Sequence, residues 1–255
     1  MININFMSWN TQLYEYGNKN NKSENDGLNI YNNVASIVKQ HVCASNSDGE
    51  IRIAVLQEIP YKIKDSQSSR WRNHVIFEKL QNDFKLSEYD VLFFKKAFHI
   101  KMTIVIATKG TIEEVHKGQN NIYVPFIISP LNLNILALHA HDAFEAREWL
   151  FKNSGFIPKI MLGDFNAGNY KKTVRDNEIA VNRQNYLLLT EGYIDICQGQ
   201  YTTKYKTHID HALLENSNEF IEKYQYQDVF VDRSIKLSDH YPIYFKLSCI
   251  EDCAK

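Results

Sequence analysis

Ile160-Met161-Leu162-Gly163-Asp164-Phe165-Asn166 is the stretch on which the reading of this chain turns. Its first residues are a short apolar run of strand length. Gly163 permits a tight backbone path. In extended backbone, residues two apart face the same way, so Asp164 and Asn166 can address one phosphate group. Asp-x-Asn also occurs in ordinary turns. The apolar run directly before it favours a strand that ends in chemistry.

Working outward, other apolar runs end in polar residues of the same kind. Leu133 to His139 reads as a strand closed by His139, with His141 two residues on as an alternative imidazole. His208-Ile209-Asp210-His211 opens a later strand. Ser238-Asp239-His240-Tyr241-Pro242 precedes the last one. Towards the N-terminus, Val55-Leu56-Gln57-Glu58 and Ser8-Trp9-Asn10 end two more. Each is weak alone: Glu58 could be a strand-end charge, Asp239 a turn residue, His240 a structural histidine. In this order they place carboxylates, amides and imidazoles at strand ends. Phosphate-ester cleavage needs a cation, a positioned water and proton-transfer groups. Mg²⁺ accepts oxygen ligands and keeps several waters, so one or two carboxylates suffice. Histidine carries protons near neutral pH, and Asp210 is the candidate to orient His240.

Around these motifs the periodicity predicts strands over Ile2–Trp9, Ile51–Leu56, Tyr89–Phe94, Met102–Thr108, Glu113–His116 and Ile122–Ile128. Further strands are expected over Ile209–Leu214, Gln227–Val231 and Tyr241–Leu247. Helices are expected where Tyr31, Val34, Ala35, Val38 and Val42 recur, at Ile76, Leu80 and Phe84, and over Asn182–Leu189. Asp142 followed by Glu145 should cap a helix running through Lys152. Gly17–Asn29 and Tyr61–Asn73 read as loops, and Ser45–Gly49 as a turn. Few clean β-α-β units are present, which argues against a doubly wound parallel sheet. The fold class expected is α/β (α+β): a four-layer sandwich of two packed mixed β-sheets flanked by helices. No repeat or linker divides the chain, so residues 1–255 are read as one domain.

Lys+Arg 29 against Asp+Glu 30 gives a net charge of -1, which excludes a strongly basic nucleic-acid-coating protein. A nuclease needs only a local positive groove. Cys43, Cys197, Cys249 and Cys253 show no paired zinc spacing, and reduced thiols in a cytoplasmic protein are expected. No signal segment or membrane-length apolar run is seen, although a delivered or secreted effector would fit the same sequence once processed.

The motif set resembles the endonuclease/exonuclease/phosphatase superfamily of metal-dependent phosphoesterases, from Ser8 to Ile243. Leu136-Ala137-Leu138-His139, Gly163–Gly168 and Ser238–Pro242 look most like deoxyribonuclease I. Ser8-Trp9-Asn10-Thr11-Gln12 is similar to the nuclease subunit of cytolethal distending toxins. The resemblance implies that Asn10 and Glu58 lie at the metal, with Asp239 in or behind its shell. It implies that Asp164 and Asn166 hold the scissile phosphate and the attacking water, that Asp210 orients His240, and that His139 is the second catalytic histidine. Lys101 sits where such proteins often place a phosphate-contacting Arg. The acidic partner of the first catalytic histidine has no counterpart near Phe93-Phe94-Lys95, and the structural cysteine of the secreted enzymes is missing. The Trp-containing and Asp-Arg motifs of inositol 5-phosphatases and the aromatic hairpin of sphingomyelinases are absent.

The function expected is therefore Mg²⁺-dependent phosphodiester hydrolysis, with Mn²⁺ or Ca²⁺ as other candidate ions. The substrate expected is DNA, with low sequence specificity and a monomeric enzyme, and the resemblance implies internal cuts. Lys62, Lys64, Arg70, Trp71 and Arg72 follow Glu58, and Arg70 and Arg72 are candidate phosphate contacts. The alternatives are a phosphoinositide or other phosphomonoester phosphatase on the same scaffold, or a binding module without catalysis.

Overall fold

The computed structural model describes residues 2–18, 22–43, 50–64, 70–94, 100–169 and 176–250, without the side chains of 169 and 176–180. In chain order the elements are β1 (Asn3–Asn10), α1 (Glu24–Cys43), β2 (Glu50–Pro60), β3 (Lys62–Lys64), β4 (Trp71–Asn73), α2 (Val75–Asp83), β5 (Tyr89–Leu92) and β6 (Lys101–Thr108). The second half holds β7 (Ile112–Glu114), β8 (Tyr123–Ile128), β9 (Leu133–His139), α3 (Ala143–Lys152), β10 (Ile160–Asn169) and α4 (Asp176–Leu189). It ends with β11 (Tyr193–Asp195), β12 (His208–Glu215), α5 (Asn218–Lys223), β13 (Tyr224–Val231) and β14 (Ile243–Cys249).

Two six-stranded sheets form, in the orders β13-β14-β1-β2-β6-β5 and β11-β12-β10-β9-β8-β7. Their inner faces meet in one apolar layer that includes Phe6, Ile53, Val105, Phe126, Ile135, Leu162 and Phe245. Each such fully buried side chain contributes about 1.5–3 kcal/mol. Helices α1 and α2 cover the outside of the first sheet through Val34, Val38, Ile76 and Leu80. Helix α3 covers the second through Ala143, Ala146 and Trp149. This is the four-layer arrangement that the mixture of strands implies.

Both sheets are mixed, and that places the site. Strands β1 and β2 are parallel, as are β9 and β10. Their neighbours β14, β6 and β12 run antiparallel to them. One edge of the sandwich thus collects the C-terminal ends of β1, β2, β9 and β10 and the N-terminal ends of β6, β12 and β14. Asn10, Glu58, His139 and Asp164 arrive on the first group. Lys101, Asp210 and His240 arrive on or just before the second.

The strand pattern of the sequence is largely the observed one, with instructive differences. Residues 24–29, read as loop, begin α1, because the Ser23 hydroxyl accepts from the Asp26 amide at 3.1 Å and so caps the helix. The loop expected over 61–73 contains the small hairpin β3–β4. Strands β2 and β10 run further than their apolar cores, to Pro60 and Asn169. Glu58 therefore lies inside a strand, at a bulge, and not at its end: pairing with β6 shifts register between Leu56 and Ile59. Strand β11 and helix α5 were not foreseen, being only 3 and 6 residues long. The Asp142 cap holds, its side chain accepting from the Glu145 amide at 2.8 Å. The expected turn at Ser45–Gly49, together with Lys95 and Cys253, lies outside the described residues.

No described helix is long and apolar enough to cross a membrane. Cys43 and Cys197 form no disulfide.

Candidate active site

Strand register builds the centre of the site. Asp164 on β10 pairs with His139 on β9 and with Asp210 on β12, so three polar residues stand side by side at one level. Gly163 makes that level possible. It has φ +143°, and an added Cβ would lie 1.9 Å from the Leu138 carbonyl oxygen. Beyond Asp164 the strand bulges, and Asn166 takes the left-handed conformation at φ 46°. Glu58 sits at φ 58° in its own bulge. Non-glycine residues rarely adopt this backbone, and strain of this kind gathers where side chains must be aimed.

The Asn10–Asp164 bond joins the two sheets, and other polar bonds brace each side of it. Asn10 Nδ2 donates to Asp164 Oδ2 at 2.9 Å. The Asn166 amide donates to Asp164 Oδ1 at 2.8 Å, while its side chain donates to the Ala140 carbonyl at 2.9 Å. Ser238 Oγ donates to the Asn10 carbonyl at 2.8 Å, and Trp9 Nε1 to the His240 carbonyl at 3.1 Å. Thr202 Oγ1 accepts from the amides of Ile209 and Asp210, fixing the start of β12.

His240 is the most strongly perturbed group. Its Nδ1–H donates to both Asp210 oxygens, each at 2.9 Å, and Asp164 Oδ2 is 3.9 Å away. Burial alone would lower its pKa. The carboxylates of Asp210 and Asp164 outweigh that and raise it to about 10. Its neighbours thus move His240 away from the near-neutral titration of an ordinary imidazole and hold it as an imidazolium at pH 7. Asp164, buried and facing Asp210, has its carboxyl pushed up.

His139 behaves in the opposite way. Its Nε2 is 3.3 Å from Glu58 Oε1 and 3.7 Å from Asp164 Oδ2, yet burial dominates and lowers its pKa to about 4. It is neutral at pH 7. His141, by contrast, is exposed beside Asp142, outside the cluster. Lys101 Nζ donates to Glu58 Oε1 at 2.7 Å. Burial still raises the Glu58 carboxyl, with Lys101 opposing.

These residues fit a hard divalent cation. Glu58, Asp164, Asp210 and Asp239 bring four carboxylates against Lys101 and the His240 imidazolium. Asp239 Oδ1 is buried without a hydrogen-bond partner, 3.7 Å from His240 Nε2. Buried negative charge in excess is costly, and oxygen donors of this kind are what Mg²⁺ takes. Glu58, Asp239 and the Asn10 side-chain oxygen would hold it.

Arg70 and Arg72 are not drawn into this cluster. Arg70 is exposed just before β4, and Arg72 on β4 pairs with Glu24 of α1. The rim beside His240 is formed by the loop over residues 201–205, which the sequence analysis assigns no role. Thr203 bridges to His240, and the Lys204 amide donates to the Asp239 carbonyl at 2.8 Å. Lys204 Nζ lies 5.0 Å from the centre of the exposed Tyr205 ring, and the Arg233 guanidinium 4.0 Å from that of Tyr201. The interleaved run Tyr201-Thr202-Thr203-Lys204-Tyr205 was the available signal.

No protein-family model and no curated protein matches this sequence. Solved structures do match its fold. D. rerio TDP2 in complex with a single-strand DNA product superposes with a TM-score of 0.60 at 15% identity, covering 96% of this chain and 99% of that one. The endonuclease domain of TRAS1, a telomere-specific non-LTR retrotransposon, gives 0.59 at 13%, covering 98% and 100%. A Bacteroides vulgatus protein described as an endonuclease/exonuclease/phosphatase gives 0.60 at 14%, covering 98% and 100%.

Proposed function

Because the chain has the fold of the endonuclease/exonuclease/phosphatase proteins, we propose that it is a divalent-metal-dependent phosphodiesterase that cuts DNA. The observation that carries this is the Asp210–His240 pair at 2.9 Å, set against Asp164 at the buried junction of the two sheets. Residues 1–255 act as one catalytic domain, since neither sheet alone supplies the set.

When bound, a divalent cation neutralises phosphate charge and helps ionise water. The side chains do the rest. His240, held by Asp210, presents its Nε2–H to a phosphoryl oxygen whose negative charge grows in the transition state. Asp164 is aimed by Asn10 and the Asn166 amide, and its elevated pKa suits a base that takes a proton from water. Asn166 keeps the bulge in shape through its bond to Ala140. Neutral His139 offers a donor beside Glu58 and Asp164. Lys101 contributes fixed positive charge at the same edge.

DNA is favoured over a small phosphomonoester by the rim. Tyr201 and Tyr205 expose aromatic surface beside basic Lys204 and Arg233, which suits bases and backbone together. Such contacts follow the backbone without reading sequence, so low sequence specificity follows. D. rerio TDP2, similar in fold, was crystallised with a single-strand DNA product.

The test is a substrate panel with purified protein in Mg²⁺ and in EDTA. Supercoiled plasmid should be nicked in Mg²⁺ alone, ahead of RNA. Phosphate release from phosphoinositides without plasmid nicking would overturn the assignment in favour of a phosphatase.

A further inference from the structure

A second group of titratable side chains converges on the other side of β12. Asp210 faces His240, whereas its neighbour His211 is fully buried, 5.4 Å from the Phe165 ring centre. Asp195 at the end of β11 and His208 at the start of β12 meet it there. Asp195 Oδ2 is 2.9 Å from His211 Nδ1 and 3.4 Å from His208 Nε2. One ligand atom from each of the three lies within 4.8 Å of the others.

Two details make this more than an ion pair. His208 Nε2 is buried with no hydrogen-bond partner, although it is aimed at the same carboxylate oxygen as His211. His211 Nε2 lies 2.7 Å from the Ala167 carbonyl, so Nε2–H donates there, while Nδ1 meets Asp195 Oδ2 at 2.9 Å, where a cation would take the place of the proton the two share. Metal-ligating imidazoles are held in just this way, with the far nitrogen donating to a carbonyl. Ligands about 2.1 Å from a tetrahedral ion stand about 3.4 Å apart, so the Asp195–His208 spacing already fits. The Asp195–His211 spacing needs to open by about half an ångström. The Tyr186 hydroxyl is 3.0 Å from His211 Nδ1 and 2.8 Å from Asp195 Oδ2, offering a fourth oxygen. A cleft of about 750 Å³, lined in part by Arg183, Asp195 and His208, gives access from solvent.

We infer that Asp195, His208 and His211 form a second metal site, which binds a borderline transition ion such as Zn²⁺ in preference to Mg²⁺. Two imidazoles and one carboxylate select that class of ion, whereas the oxygen-only donors at Glu58 and Asp239 select a hard one. The ion would clip β11 to β12 and, through His211 and Ala167, steady the backbone one residue beyond Asn166.

The experiment reads metal, not turnover. Protein stripped with a chelator and held in excess Mg²⁺ is titrated with Co²⁺, followed by visible absorption and by melting temperature. One Co²⁺ should bind, raise the Tm and be displaced by Zn²⁺. His208→Gln and Asp195→Asn, each checked for folding by circular dichroism, should weaken binding at least about 100-fold, because losing even a supporting partner of a ligand costs 10–100-fold. Asp239→Asn should bind Co²⁺ as the wild type does. No Co²⁺ uptake by the wild type, undiminished uptake by folded His208→Gln, or loss of uptake in Asp239→Asn would each overturn the assignment.

Discussion

Asp164 is where stability and function pull apart. A fully buried carboxylate beside a second one is costly, and the raised pKa of Asp164 records that cost. Asp164→Asn keeps the oxygen that accepts from the Asn166 amide and removes the charge, at the cost of the one neutral bond from Asn10 Nδ2. Its melting temperature in EDTA should exceed that of the wild type by a few degrees, while nicking falls at least about 100-fold for want of a base. A lower Tm in EDTA would contradict this view of the charge. Away from the site, His41 tests burial alone. Its Nε2 lies 3.2 Å from the Asn5 carbonyl and 3.1 Å from that of Ile53. Burial, aided by Arg52, lowers its pKa from 6.5 to about 4. The unfolded chain then binds the proton more tightly. Stability from His41 is complete above pH 6.5 and is lost as pH falls from 6.5 towards 4, by at most about 3 kcal/mol. Denaturant titrations at pH 7 and pH 4.5 should show a smaller drop for His41→Gln than for the wild type. An equal drop would mean that His41 is protonated without penalty.

At the scale of elements, the site depends on how closely β9 and β10 approach. Gly163→Ala would drive a methyl group into the Leu138 carbonyl, at φ +143° where an L side chain is already strained. Backbone cannot yield there as a flexible side chain could. A loss of at least about 2 kcal/mol is expected from urea unfolding, since Ala at a positive-φ position costs more than the entropy it saves. A variant as stable as the wild type would show that the strands part easily. The elements were also the scale at which the sequence was most readable. Alternation and apolar runs located the long strands, and Asp142 with Glu145 located the start of α3. The bulges at Glu58 and Asn166 were not readable, because periodicity averages over a single residue that breaks register. Strand β11 and helix α5 are too short to carry a period. The candidate site was legible as a set of residue types closing apolar runs: Asn10, Glu58, His139, Asp164, Asp210, Asp239 and His240 all reach one edge, although Glu58 and Asp164 do so from bulged strands that run on past them. Their charge states were not legible, since the opposite shifts of His139 and His240 arise from neighbours brought together only by the fold. Arg70 and Arg72 are close in sequence to Glu58, but the β3–β4 hairpin carries Arg72 to Glu24, and that placement is set by pairing no periodicity reports.

For the whole molecule, the fold itself concentrates negative charge where the sheets meet. Binding a cation there should stabilise the native state by mass action, about 2.7 kcal/mol at a hundredfold excess over Kd. For a chain of this size that is a rise of roughly 5–10 °C in Tm. Asp239→Asn should lose most of that rise with Mg²⁺, and an unchanged shift would remove Asp239 from the cation's surroundings. The most direct test of the account is the initial rate of plasmid nicking in Mg²⁺ by the wild type and by His240→Ala. The expected result is at least a ~100-fold lower rate for the variant, with the Mg²⁺-induced rise in Tm retained. Equal rates from the two proteins would contradict the claim that the Asp210-held imidazolium acts on the phosphate.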